Sequence, residues 1–159
     1  MEIYNFQFEK FEPIFLEINF KPINGVTMRA LNFKLDTGAD FSTISKVELI
    51  DLGYNMPWIK DNLKVDGEAS TADGRKVEIG IVQVPLINIL GYEAKNWPFR
   101  ILPNDGEDFR NLLGRDLLVG FNFAIDNDEE MFKIWRTKTF KYATPPLQGQ
   151  EINEIKRKI

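Results

Sequence analysis

The 159-residue sequence contains neither histidine nor cysteine. Those two absences remove whole classes of chemistry. A Ser-His or Cys-His nucleophilic pair cannot be assembled, and neither can the usual zinc site of imidazole and thiolate ligands. There is no disulfide framework, so nothing points to secretion. No apolar run approaches membrane-spanning length, and the opening MEIYNFQFEKFE lacks the basic-then-apolar pattern of a signal segment. The formal net charge is −4, without the basic stripe that usually marks a nucleic-acid binder. Together these readings predict a cytoplasmic protein with no membrane and no nucleic-acid partner. If the chain is an enzyme, its acid–base work falls to carboxylates, lysines or tyrosines.

What is present reads as one domain rich in short strands. In IFLEINF, Leu16, Ile18 and Phe20 share one face while Glu17 and Asn19 take the other. KPING is a turn and VTMRALNFKL returns, so residues 14–35 are expected to form a β-hairpin. SKVELIDLG follows as one short helix, with Ser45 and Glu48 spaced as a capping box and Gly53 placed to end it. Residues 63–90 return to β character around TADGR, where Asp73-Gly74 is a hairpin signal. Apolar parity changes between Ile81 and Val82, which implies a bulge or a strand passing between sheets. AKNWPFRIL, FNFAID and EEMFKIWR supply further strands, the last two joined by an acidic turn at DNDE. NLLGRDLLVG between them is an apolar turn with room for one helical turn. DNDEE lacks the central glycine of a calcium loop and reads as a β-turn. Trp58, Trp97 and Trp135 read as core or interface aromatics. TPPLQGQ is linker-like, and the final EINEIKRKI carries Ile152, Ile155 and Ile159 at helical spacing.

One stretch carries chemistry. In FKLDTGADFSTIS, the alternating Leu31, Phe33 and Leu35 deliver Asp36 to the end of an apolar strand. A carboxylate there is costly unless it is hydrogen-bonded or put to use. One reading is an Asx turn, in which the aspartate oxygen accepts from the backbone two residues on. The other is a reactive carboxylate.

LDTGADFSTIS, followed well downstream by NLLGRDLL, resembles the single-domain, retroviral-type aspartic proteases, the retropepsins. The resemblance spans about residues 14–136 and implies a retropepsin-like domain over 1–136, with 137–159 as a C-terminal extension that could dock or help form a dimer. It implies an all-β fold, a closed barrel of short strands with one short helix. Asp-Thr-Gly occurs once, so the resemblance implies a homodimer in which each subunit contributes one Asp36. Two adjacent carboxylates hold one proton between them. The ionised member draws a proton from water and the other donates to the peptide carbonyl oxygen, without metal or cofactor.

By the same resemblance, Asp36, Thr37 and Gly38 form the catalytic loop, Thr37 bonding across the two-fold axis and Gly38 admitting substrate backbone. Asp40 and Arg115 would be a structural ion pair locking that loop to the Gly-Arg-Asp turn, with Gly114 packed beneath. Phe41, Ile44 and Leu112 would line a groove for apolar side chains of a peptide or protein substrate, core packing being the alternative for all three. The hairpin at Ala72, Asp73 and Gly74 would be the flap, though its tip lacks the glycine-rich character of viral flaps and fits a plain surface hairpin equally. A catalytically inactive peptide-binding or dimerisation module is the rival reading.

Overall fold

Alternation in FLEINF becomes strand β2 (Phe15–Phe20), antiparallel to β3 (Arg29–Leu35) with Leu16 opposite Phe33 and Ile18 opposite Leu31. Leu16, Ile18, Phe20 and Phe33 are all but inaccessible to solvent. Period-two sequence has been converted into a buried face, each large side chain contributing roughly 1.5–3 kcal/mol. The computed structural model describes residues 1–64, 67–70, 74, 76–101 and 111–138.

Around this hairpin lie β1 (Ile3–Gln7), β4 (Gly67–Ser70), β5 (Lys76–Ile89), β6 (Tyr92–Ile101), β7 (Leu112–Leu113), β8 (Phe121–Asp126) and β9 (Met131–Arg136). A six-stranded sheet runs β4-β5-β2-β3-β7, with β6 also paired to β5; a separate three-stranded sheet runs β1-β9-β8. Phe20, Phe33 and Phe99 meet in the core with ring centroids 5.4–5.8 Å apart.

The parity change at Ile81 and Val82 is a strand changing partners. β5 pairs with β4 through Ile79 and with β6 from Gly80, and it keeps one register against β6 from Gly80 to Ile89, passing over Pro85. Both Ile81 and Val82 are buried because this strand is covered on both faces.

The barrel expectation needs correction: among the described residues neither sheet closes. β7 is only two residues long and pairs in parallel with the end of β3. Between it and β6 lies a single residue, Thr43, which makes isolated bridges to Leu112 on one side and Arg100 on the other.

Helix content also exceeds the expected single helix. α1 (Lys46–Asp51) forms where the sequence placed it and ends in a Schellman arrangement: Gly53, at φ +92°, donates to the Ile50 carbonyl and Tyr54 donates to Leu49. α2 (Met56–Asn62) is additional, capped by the Asn55 side chain accepting from the Trp58 N–H at 3.0 Å. α3 (Arg115–Leu118) is the single turn foreseen after Gly114.

The capping box does not form. Ser45 makes no side-chain cap; the buried Asn111 takes over. Its Oδ1 accepts the Ser45 N–H at 2.7 Å, while its amide donates to the Glu48 carboxylate and to the Asn32 carbonyl. One side chain thereby ties the helix start to β3. At DNDE, Asp126 accepts the Glu129 N–H at 3.1 Å, a turn joining β8 to β9.

Candidate active site

β3 carries Asp36 to its end, and parallel pairing with β7 continues one bond further, the Asp36 N–H donating to the Leu113 carbonyl at 3.0 Å. The chain then turns sharply. Asp36 Oδ1 accepts the Gly38 N–H at 3.0 Å, and the Ala39 N–H donates back to the Asp36 carbonyl at 3.2 Å. This is the Asx turn of the first reading, and it also fixes the carboxylate's orientation. Asp36 is half-buried, with Thr37 and Gly38 exposed beside it.

The loop rests on the Gly-Arg-Asp turn. The Arg115 N–H donates to the Ala39 carbonyl at 2.8 Å and the Asp116 N–H to the Asp40 carbonyl at 3.2 Å. Gly114 lies directly against the Phe41–Ser42 peptide, as its expected place beneath the loop requires.

The expected side-chain lock between Asp40 and Arg115 is not formed among the described residues; both residues are exposed, and backbone bonds clasp the loops instead. The side-chain contacts lie one residue along. Asp116 Oδ1 accepts from the Ser42 hydroxyl at 2.7 Å and from the N–H groups of Ser42 and Leu117, each at 2.9 Å. The Ser42 hydroxyl in turn accepts the Gly114 N–H at 3.0 Å. Burial pushes the Asp116 carboxyl above the usual carboxylate range, opposed by these hydrogen bonds. Beside it, Arg100 is buried with its guanidinium carbon 3.4 Å from the centre of the Phe41 ring. Burial lowers Arg100 to about 10, against the pull of the Asp116 and Asp40 carboxylates.

Of the expected groove residues, Phe41 is half-buried and borders an open cleft of about 630 Å³ with Thr37, Asp40, Arg115, Val119 and Phe123. Leu112 is half-buried in β7. Ile44 is fully enclosed in the core, its N–H bonded to the Arg100 carbonyl, so in this structure it lines no groove. Of the expected flap, β4 and β5 form the hairpin arms and Gly74 is exposed at φ +82°; Ala72 and Asp73 lie outside the described residues, as does the C-terminal extension from residue 139.

Sequence reasoning passed over Ser42, Arg100 and Asn111. Ser42 and Asp116 sit inside the two quoted motifs, so their spacing to Asp36 and Gly114 could have suggested the contact. Arg100 had only a weak signal, a cation between the apolar Phe99 and Ile101 of β6.

The fold thus brings the Asp-Thr-Gly loop and the Gly-Arg-Asp turn together through backbone hydrogen bonds. The family model described as "gag-polyprotein putative aspartyl protease" matches residues 22–119, a span holding both motifs, and the chain belongs to that retropepsin-like family. Among solved structures, a retropepsin-like aspartic protease from Rickettsia conorii is similar in fold, with a TM-score of 0.59 and 22% identity over 84% of this chain and 98% of that one. The retroviral protease-like domain of Ddi1 from Leishmania major aligns at a TM-score of 0.47 and 15% identity over 75% of this chain and 85% of that one. No curated protein sequence matches the chain. No helix among the described residues is long and apolar enough to cross a membrane.

Proposed function

We propose that the protein is an aspartic endopeptidase that works as a homodimer, with its active site formed where two copies bring their Asp36 side chains together. One observation carries this reading. The chain holds a single Asp-Thr-Gly loop, whose carboxylate stands half-exposed at the end of β3 with the next two residues open to solvent. Peptide hydrolysis by activated water needs an acid and a base together, and one Asp36 cannot be both. A second copy supplies the missing partner.

In the paired site one Asp36 is ionised and accepts a proton from the attacking water. Its mate, protonated, donates to the scissile carbonyl oxygen. Thr37 ties the two loops across the axis, and Phe41 with Leu112 borders the substrate groove. The β4–β5 hairpin is the cover over it. Membership in the family supports the reaction class, and the fixed orientation of Asp36 in its turn supports the role of that residue.

The test is cleavage of a diverse peptide library from acid to neutral pH by wild type and by Asp36→Asn, with and without a transition-state-mimicking aspartic-protease inhibitor. Cleavage that disappears in both controls supports the proposal. Cleavage that survives Asp36→Asn contradicts it. Tight peptide binding without turnover, equal in both proteins, assigns the chain to the binding-module reading instead.

A further inference from the structure

We propose that Arg100 is a positioning residue for the Asp36 site: its guanidinium, set over the Phe41 ring, holds the segment that leaves the Asp-Thr-Gly loop in place against the Gly-Arg-Asp turn. This deepens the peptidase reading and rests on it for the consequence to catalysis, while the clamp itself is independent of any activity.

Arg100 is costly where it stands. Its exposure is 6%, and its Nη2 is buried without a hydrogen-bond partner. A buried charged group lacking a partner is strongly unfavourable unless its surroundings compensate. Two features compensate the charge, and a third fixes the backbone that carries it. The guanidinium carbon lies over the Phe41 ring, 3.4 Å from its centre, well within cation–π range. Asp116 and Asp40 both act on Arg100 as opposing charges. Its backbone is bonded on both sides to the segment just after the loop, the N–H to the Ser42 carbonyl at 3.0 Å and the carbonyl to the Ile44 N–H at 2.9 Å.

These contacts converge on the segment that leaves the Asp-Thr-Gly turn. Asp40 is the last residue of Asp-Thr-Gly-Ala-Asp, Phe41 borders the cleft, and Ser42 bonds directly to Asp116. Arg100 therefore touches the loop at Phe41 and is joined to the turn through Ser42, which bonds to both Arg100 and Asp116. Arg115, whose side chain is exposed, contributes its backbone N–H to the same junction.

Hydrogen exchange read residue by residue, on the full chain, tests the clamp. In Arg100→Met, the N–H groups of Ser42, Arg115 and Asp116 should exchange about 10-fold faster or more, the size expected from losing a desolvated cation–π contact. Ile18 and Leu31, in the paired centre of β2 and β3, should change by less than about threefold, because they belong to a separate opening unit. Arg100→Lys should not restore wild-type protection, since an ammonium lacks the flat face that lies on Phe41. Should Arg100→Met not fold, Phe41→Leu with Arg100 intact gives a second reading and should loosen the same three amides. Where both variants fold, the double variant should be no worse than the worse single one, the mark of residues acting through one contact. Uniform loss of protection across β2, β3 and the loop, or no change at the three amides, overturns the proposal.

Peptide cleavage adds the catalytic consequence: kcat should fall about 10-fold or more in Arg100→Met, with KM shifted less. Selective loosening in a protein whose wild type cleaves nothing supports the clamp and rejects the peptidase reading. Cleavage by wild type with no selective loosening in the variant rejects the clamp alone.

Discussion

Gly114 and Phe41 are in backbone contact: a Cβ built on Gly114 would lie 2.5 Å from the Phe41 carbonyl carbon and 2.7 Å from its oxygen. The obstructing atoms belong to main chain that is itself fixed through Ser42 and Asp116. Gly114→Ala should therefore push the loop and the turn apart, costing roughly 1–3 kcal/mol as an overpacked contact. Urea denaturation measures it, and a change below about 0.5 kcal/mol would show that the two loops are not so tightly joined.

Asp116 gives a pH dependence with a definite sign. Burial raises its carboxyl above the ordinary value, so the folded state holds this proton more tightly than the unfolded state. The group's contribution to stability is fully present below the unfolded value of 3.8 and is lost as pH rises through the raised folded value. Asp116→Asn keeps an oxygen acceptor for Ser42 and Leu117 but cannot titrate. Wild-type stability minus that of Asp116→Asn should fall as pH rises from about 4 to 7, in paired urea titrations. A difference that rises over that range would contradict the burial account.

Asn111 should matter more than an ordinary polar residue. Removing its side chain in Asn111→Ala leaves the Ser45 N–H and the Glu48 carboxylate without their partner. At about 1–3 kcal/mol for the buried Ser45 N–H left unpaired, with the half-exposed Glu48 carboxylate open to water, the loss should be roughly 1–3 kcal/mol. Asn111→Asp should be worse near neutral pH, where it sets a second carboxylate against Glu48, and should recover on acidification. Thermal melts at two pH values separate these outcomes.

Much of this was legible in order of residues, for reasons that differ from element to element. Leu16, Ile18 and Phe20 alternate because one face of β2 is buried, and that period cannot be satisfied by a helix. Gly53 was readable as a helix end because only a residue tolerant of positive φ serves there. α2 was hidden because MPWIKDN has little apolar period; its signals are local, the Asn55 cap and Pro57 in the first turn. Barrel closure depends on how far β7 and β6 approach, which one bridging residue, Thr43, decides.

At the site, Asp36 and its clasp to Gly114–Asp116 follow from the two motifs. The choice of cation does not. Asp40 and Arg115 have suitable charges, but both residues are exposed, while Arg100 from a distant strand is the buried cation. Ser45 and Glu48 likewise have capping-box spacing, yet Asn111, more than sixty residues away in sequence, provides the acceptor. At the helix start a tertiary contact replaced a local one; at the loop one long-range contact stands where the sequence suggested another.

The claim that two Asp36 carboxylates share one active site is tested most directly by mixing. Wild type is combined with increasing Asp36→Asn at constant total protein, time is allowed for subunit exchange, and peptide cleavage is measured. A shared dyad requires both subunits to be wild type, so the rate should fall as the square of the wild-type fraction. A rate that falls in simple proportion to that fraction would mean that each chain works alone, and would contradict the account.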